Sequence, residues 1–141
     1  MSLFLDTSVL IAAVRTADLR HAPSVELVRA CNHENASCAA HSLAEAYASL
    51  TGMRPANRFR PAQAMLLLDE FRKRFRCVEL TADEVLETAR RIAGLGLSGG
   101  IIYDALLLAC ARKVNAERIY TWNERHFKLV APDLSERIVA P

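Results

Sequence analysis

Four residues with oxygen-bearing side chains stand where a divalent cation could be bound. Asp6 follows the apolar run Leu3–Leu5, and Asp104 lies in the first turn of a long apolar segment. Glu45 lies early in another helical segment, and Asn123 follows a short apolar run near the end of the chain. A buried carboxylate is costly unless it is paired or binds a metal. Because oxygen donors suit a hard cation such as Mg²⁺ or Mn²⁺ better than Zn²⁺, these residues predict one such site.

A metal held in this way could support hydrolysis of a phosphodiester bond. It lowers the pKa of a bound water, orients that water and neutralises charge that develops on a phosphoryl oxygen. Each residue also has a structural interpretation. Asp6 could cap the first helix, and Asn123 could belong to a turn. Ser42 and Glu45 match a capping box, and Asp104 could serve only the helix dipole.

The order of apolar and polar segments predicts an α/β fold. Short apolar runs predict strands at residues 3–5, 36–40, 77–80 and 118–121, with an edge strand near 138–139. Helical spacing predicts helices at 9–15, 23–30, 42–50, 62–75, 81–93 and 101–115, then a short closing segment near 127–130. This order is typical of a parallel central sheet of about four to five strands flanked by helices. Binding sites of such sheets lie beyond the carboxyl ends of the strands, which is where Asp6 and Asn123 fall.

Length and composition indicate one domain that spans residues 1–141. The chain is 52% hydrophobic and 24% charged, which suits a compact protein with a sizeable core. The net charge of +2 neither demands nor opposes a nucleic-acid partner. No apolar run approaches a membrane span, and the N-terminus lacks the features of a signal peptide, so we expect a cytoplasmic protein. In that compartment Cys77 and Cys110 are most simply small core residues.

Four motifs, in order, resemble those of the PIN-domain family. They are Leu-Phe-Leu-Asp6-Thr-Ser8, Glu45 on a helix, Tyr103-Asp104-Ala-Leu, and Ile-Tyr-Thr121-Trp-Asn123-x-x-His126-Phe127. Chain length and motif order are similar to those of the VapC toxins of toxin–antitoxin modules. The resemblance covers essentially the whole chain.

The resemblance implies a Mg²⁺- or Mn²⁺-dependent endoribonuclease in which water attacks an RNA phosphodiester, commonly in a structured RNA such as tRNA. Asp6, Glu45 and Asp104 match the acidic core that holds the metal in the family. Ser8 and Thr121 match residues that support the site.

The fourth catalytic position of the family often carries Asp, and here it is Asn123. The loss of one negative charge implies that a second metal binds more weakly or only with substrate. The resemblance also implies a cognate antitoxin and a homodimer. Arg125, His126 and Lys128 adjoin Asn123 in sequence, so they are candidates for contact with RNA phosphates.

Two other functions use the same residues. A non-catalytic module of this fold could bind RNA or protein, with the acids serving structure alone. A nuclease of the same chemistry could act on DNA, which would remove any dependence on the 2′-hydroxyl.

Two further motifs suggest different chemistry. Residues 96–100, Gly-Leu-Ser-Gly-Gly, match the nucleophile-elbow pattern, but a helical segment precedes them where that pattern needs a strand. Cys31, His33, Cys38 and His41 lie within eleven residues and could bind zinc, although their spacing is not that of a zinc finger. The histidines are otherwise ordinary surface or helix-start residues.

Two basic groups, Arg54-Arg58-Arg60 and Arg72-Lys73-Arg74-Arg76, could line an RNA path, bind an acidic partner or form solvated faces. Between them, the helical spacing of Met65, Leu68, Phe71 and Phe75 predicts a core face. Any of these apolar residues left exposed would mark a surface for a dimer or an antitoxin.

Overall fold

A computed structural model of the protein describes residues 1–141 and contains one five-stranded sheet. All neighbouring strands are parallel, in the order β3-β2-β1-β4-β5. The strands are β1 (Leu3–Leu5), β2 (Ala36–Ala39), β3 (Arg76–Val78), β4 (Arg118–Tyr120) and β5 (Ile138–Val139). The predicted α/β class and parallel sheet are confirmed, although β3 ends before Leu80, which was predicted to belong to it.

Seven α-helices connect and cover the strands. They are α1 (Thr7–Val14), α2 (His21–Ala30), α3 (Ala40–Thr51), α4 (Pro61–Arg74), α5 (Ala82–Gly94), α6 (Ile101–Lys113) and α7 (Glu124–Val130), and a 3₁₀ helix (Pro132–Arg137) precedes β5. None of these helices is both long and apolar enough to cross a membrane.

Residues of β1 alternate between two hydrophobic cores. Phe4 belongs to the core beneath α5, α6 and α7, whereas Leu5 belongs to the core beneath α1, α3 and α4. Both residues are fully buried, as expected for a central strand that is covered on both faces. The short apolar run at the N-terminus therefore forms the middle of the fold.

The chain reverses its direction across the sheet between β1 and β4. It passes outward from β1 to β2 and β3, then returns to the other side of β1 for β4 and β5. Leu5 is the partner of Tyr120 in the parallel register of β1 and β4. Residues 6 and 121 therefore leave the sheet side by side, at the kind of switch point where open α/β sheets bind ligands.

Local details of the helices differ from the predictions in three places. Asp6 holds the N-cap position of α1, but its side chain makes none of the capping bonds that its structural interpretation requires. Ser42 lies in the third position of α3, because that helix already begins at Ala40, so the predicted capping box is wrong there. Met65 faces solvent with 47% of its surface exposed, unlike the buried Leu68.

The glycine-rich loop between α5 and α6 does not form a nucleophile elbow. Ser98 follows a helix, so the strand that this motif requires is absent. Gly96 and Gly99 have φ values of +72° and +78°, which favour glycine and let the loop turn into α6.

The buried face of α6 offers a test of the fold. We expect Leu107→Ala to lower the free energy of unfolding by about 3 kcal/mol, because Leu107 is 2% exposed and its loss leaves a cavity in the core. Leu86→Ala makes the same chemical change in α5 at a residue that is 53% exposed, and it should cost well under about 1 kcal/mol. Urea unfolding of the two variants measures the difference, and equal losses would contradict this packing.

Candidate metal centre

The Asp6 carboxylate is the most deeply buried acidic group of the site. Asp6 is 3% exposed and lies directly after the central strand β1. Its Oδ2 atom accepts hydrogen bonds from Ser8 Oγ at 2.7 Å and from Thr121 Oγ1 at 2.8 Å. These two hydroxyls fix the orientation of the carboxylate.

The two hydroxyls are themselves oriented by the backbone of the segment that follows β4. The Trp122 N–H donates to Ser8 Oγ at 3.1 Å, and the Asn123 N–H donates to Thr121 Oγ1 at 2.9 Å. Each oxygen therefore accepts from the backbone and donates to Asp6. The chain ends of β1 and β4 are thus joined by one hydrogen-bond network, which fixes the position of the carboxylate.

Glu45 reaches the same edge of the sheet from α3, which begins directly after β2. Thr7 Oγ1 donates to Ser42 Oγ at 2.8 Å and lies 3.5 Å from Glu45 Oε1. His41 lies one turn before Glu45, with its Nε2 atom 3.6 Å from Oε1. That nitrogen is buried and has no hydrogen-bond partner, so it is a polar atom at the site that the protein itself leaves unsatisfied.

Asp104 lies in the first turn of α6 and is partly buried, whereas the apolar sequence around it predicted a fully buried residue. The preceding residue, Tyr103, is 63% exposed. The start of α6 therefore lies at the surface, and only the following turns enter the core.

Burial is the largest cause of a raised pKa at each of the three carboxyl groups. Burial raises the pKa of Asp6, and the hydrogen bonds from Ser8 and Thr121 oppose that rise. Burial is also the largest cause for Glu45 and Asp104, and the charge of Asp6 raises the pKa of both. His126 opposes the rise at Asp104. The effect of the Asp6 charge on both Glu45 and Asp104 indicates that these two acids face the same part of the protein as Asp6.

The chemistry of these donors fits a divalent cation, although their present positions do not form a complete ligand set. No Lys or Arg forms an ion pair with Asp6, Glu45 or Asp104, so their charge is not neutralised by a basic side chain. No three His, Cys, Asp or Glu side chains lie close enough together to bind a metal as they stand. A cation would therefore draw the carboxylates inward or contact some of them through water.

The same finding leaves the zinc interpretation without a ligand cluster. Cys38 belongs to β2, and its thiol lies 3.9 Å from that of Cys77 on the neighbouring strand. All four cysteines are free, and Cys31, Cys38 and Cys110 are buried.

The residues after β4 are the outer part of the site. Asn123 is exposed at the N-cap position of α7, and its side chain makes no capping bond. Arg125 and His126 are exposed, whereas Lys128 lies 3.6 Å from the Glu124 carboxylate. Of the three basic candidates, Lys128 is therefore the one whose charge is already paired.

Sequence reasoning missed the contributions of Thr7, His41, Ser42 and Trp122 to the site. The sequence suggested His41 only as a zinc ligand or as an ordinary surface or helix-start residue, and the structure places it at the start of α3. A signal was present, because His41 follows β2 closely and precedes Glu45 by four residues, which places both side chains on one face of α3. The bond from Trp122 to Ser8 joins residues 114 positions apart and left no such signal.

The parallel sheet, its switch point and the acidic cluster define a class of α/β protein with a polar site at the carboxyl edge of the sheet. Residues 3–131 match the family model of the PIN domain. The chain belongs to the PIN-domain family.

Known members of this family are similar to the chain over most of its length. It is 35% identical to ribonuclease VapC27 of Mycobacterium tuberculosis over 117 residues, which cover 82% of this chain and 80% of the relative. The structure of VapC20 from Mycobacterium tuberculosis, a toxin that cleaves the sarcin–ricin loop, is 20% identical with a TM-score of 0.72, covering 89% of this chain and 92% of that one. VapBC-1 from nontypeable Haemophilus influenzae is 18% identical with a TM-score of 0.65, covering 99% and 98%. The two structures show a common fold.

The raised pKa values predict how stability depends on pH in the absence of metal. The folded state binds protons at Asp6, Glu45 and Asp104 more tightly than the unfolded state does. These groups therefore make the free energy of unfolding fall as pH rises from about 4 through the raised pKa values. We expect Asp104→Asn to be more stable than the wild type at neutral pH in EDTA, and the advantage should vanish at the acid end of this range.

Urea unfolding at a series of pH values measures this effect. Asp69→Asn makes the same change at an exposed acid of α4 and serves as the control. A stability difference between Asp104→Asn and the wild type that does not change with pH would contradict the raised pKa of Asp104.

Proposed function

We propose that this protein is a metal-dependent endoribonuclease and the toxin of a toxin–antitoxin pair, formed by one PIN domain that spans residues 1–141. The observation that carries the proposal is the buried Asp6 carboxylate, fixed at the switch point of the sheet beside Glu45 and Asp104. The likeness to ribonuclease VapC27 supports the same activity for this chain. The toxin VapC20 supports RNA as the substrate class.

Asp6, Glu45 and Asp104 are the residues that would hold the metal, with Asn123 acting directly or through water. When bound, a divalent ion, which we propose to be Mg²⁺ or Mn²⁺, would supply an activated water and would neutralise charge on the phosphoryl oxygens. The protein's own contribution is to fix the position of the acids. Ser8 and Thr121 hold Asp6 Oδ2 in one orientation, and the burial of that group keeps competing water away.

Asn123 gives the site one negative charge fewer than an aspartate would supply. A neutral amide oxygen still binds a hard cation, but it attracts the ion less strongly than a carboxylate does. We therefore propose that one metal is held by the three acids and that any second metal binds weakly or together with the substrate.

The proposed partners follow from the family. The substrate is an RNA, with a structured RNA such as tRNA as the first candidate. The likeness to VapBC-1 supports a cognate antitoxin as the protein partner, and we propose a homodimer that acts in the cytoplasm. Arg125 and His126 are exposed beside Asn123, so we propose that they contact RNA phosphates; Lys128 would have to leave Glu124 to do so.

Cleavage of a total RNA pool tests the activity directly. Purified, partner-free protein should give discrete products with Mg²⁺ or Mn²⁺ and none with EDTA. Asp104→Asn should lose at least about a hundredfold in rate, because it removes a ligand of the ion. Asp69→Asn should cleave like the wild type. This variant pair also excludes a contaminating nuclease as the source of the products.

Other outcomes would indicate the other functions of this fold. Folded wild-type protein that cleaves no RNA with either metal would favour a non-catalytic binding module. Cleavage of a single-stranded DNA of the same sequence at an equal rate would favour the nuclease that acts on DNA.

Metal binding can be measured without any substrate. A ligand that binds only the folded state at one hundred times its dissociation constant stabilises that state by about 2.7 kcal/mol. We therefore expect Mg²⁺ or Mn²⁺ to raise the Tm of the wild type and EDTA to reverse the shift. The shift should be lost in Asp104→Asn and kept in Asp69→Asn. Equal shifts in the two variants would place the bound ion elsewhere.

A further inference from the structure

Arg20 carries an unpaired positive charge over the side chain of Trp122, the residue that follows Thr121 of the acidic site. Its guanidinium lies over the indole ring of Trp122, 5.5 Å from the ring centroid. Arg20 is exposed, and no carboxylate lies within ion-pair distance of it. Several other basic residues differ, since Arg91 and Arg112 both bind Asp133 and Lys113 binds Glu84.

The indole under Arg20 is held rigidly and is connected to Asp6. Trp122 Nε1–H donates to Ser24 Oγ at 2.8 Å, and Ser24 is fully buried in α2. The backbone N–H of Trp122 donates to Ser8 Oγ, which in turn donates to Asp6 Oδ2. Two hydrogen bonds thus separate the residue that supports Arg20 from the carboxylate at the centre of the site.

The backbone of Arg20 is fixed as well. Its N–H donates to Asp18 Oδ1 at 2.8 Å, and the neighbouring His21 Nδ1 lies 2.9 Å from the carbonyl oxygen of Ala12 in α1. The arginine therefore projects from an anchored turn onto a fixed ring. A guanidinium placed in this way loses little further freedom when it binds an anion.

A substrate with many negative charges needs positively charged side chains near the acidic residues of this site. Three carboxylates repel RNA, and a metal at the centre offsets that repulsion only locally. Positive charge along the path of the strand is needed to hold the neighbouring phosphates. A guanidinium that stacks on an aromatic ring still presents its N–H groups to a phosphate in a bidentate manner.

We propose that Arg20 and Trp122 form a subsite that binds a backbone phosphate of the RNA outside the metal centre. This inference rests on the function proposed above and adds a second point of contact for the RNA backbone. Because the contact is to a phosphate, it strengthens binding for every RNA sequence and carries no base preference.

The test is binding of a fluorescent single-stranded RNA to the Asp104→Asn protein, which allows titration without cleavage. Two further proteins combine Asp104→Asn with either Arg20→Gln or Arg20→Lys, and the affinity of each protein for the RNA is measured over a range of salt concentrations. Arg118→Gln is the matched control, since Arg118 is exposed and lies at the start of β4, at the opposite edge of the sheet. Cleavage by wild-type protein and by Arg20→Gln alone is measured in parallel.

The expected result is a loss of roughly tenfold in affinity for Arg20→Gln at low salt. The slope of log K against log salt should become shallower by about 0.7. Arg20→Lys should keep the slope and recover part of the affinity, because it retains the charge without the planar group. Arg118→Gln should leave both quantities unchanged, and the Tm of each variant should match that of its parent.

Two results would contradict the proposed subsite. The first leaves the proposed nuclease activity in place, and the second contradicts that activity as well. If wild-type protein cleaves RNA and Arg20→Gln binds like Arg118→Gln, the subsite is wrong while the nuclease stands. Arg20 would then be free for another partner, such as an acidic protein segment. If the wild type neither binds nor cleaves RNA, the proposed function fails and the subsite fails with it.

Discussion

The burial of the Asp6 carboxylate is the constraint on which the rest of the site depends. Removing this group from water is unfavourable, and the fold compensates by directing two hydroxyl donors at a single oxygen. Those donors are in turn positioned by backbone N–H groups that follow β4. The arrangement requires β1 and β4 to be parallel neighbours, because only then do Asp6 and Thr121 leave the sheet together. The geometry of the site therefore depends directly on the order of the strands in the sheet.

The same burial explains why the site should be a source of instability until a cation binds. Glu45 and Asp104 share the region of Asp6, and each experiences its charge. The hydrophobic cores on the two faces of β1 must stabilise the fold against this repulsion. His41 adds a second unfavourable feature, since its buried Nε2 has no hydrogen-bond partner. Polar groups that a protein leaves unsatisfied or in repulsion are typical of sites that are completed by a ligand.

The sequence predicts those parts of the structure that depend on local patterns. The order of strands and helices along the chain follows from apolar runs and helical spacing, and the structure contains the same order. Ser42 and Glu45 match the capping-box pattern but do not form one. The same three-residue spacing occurs inside a helix, and α3 begins at Ala40, two residues before Ser42. The contacts of Trp122 with Ser8 and Ser24 depend on which strands become neighbours, and no local pattern encodes that choice.

Some basic residues already form hydrogen bonds or ion pairs within the protein, and these contacts decide which of the basic residues can bind RNA. Arg74, in the cluster near the end of α4, donates to the carbonyl oxygens of Val28 and Cys31, so part of that cluster serves packing. Arg112 is held by Asp133, whose carboxyl pKa is lowered most by this contact. An arginine already bonded to a carboxylate must give up that bond before it can hold a phosphate. Sequence clusters of positive charge are therefore a poor guide to the RNA path. An isolated arginine that is fixed on an aromatic ring and lacks an acidic partner is better suited to it.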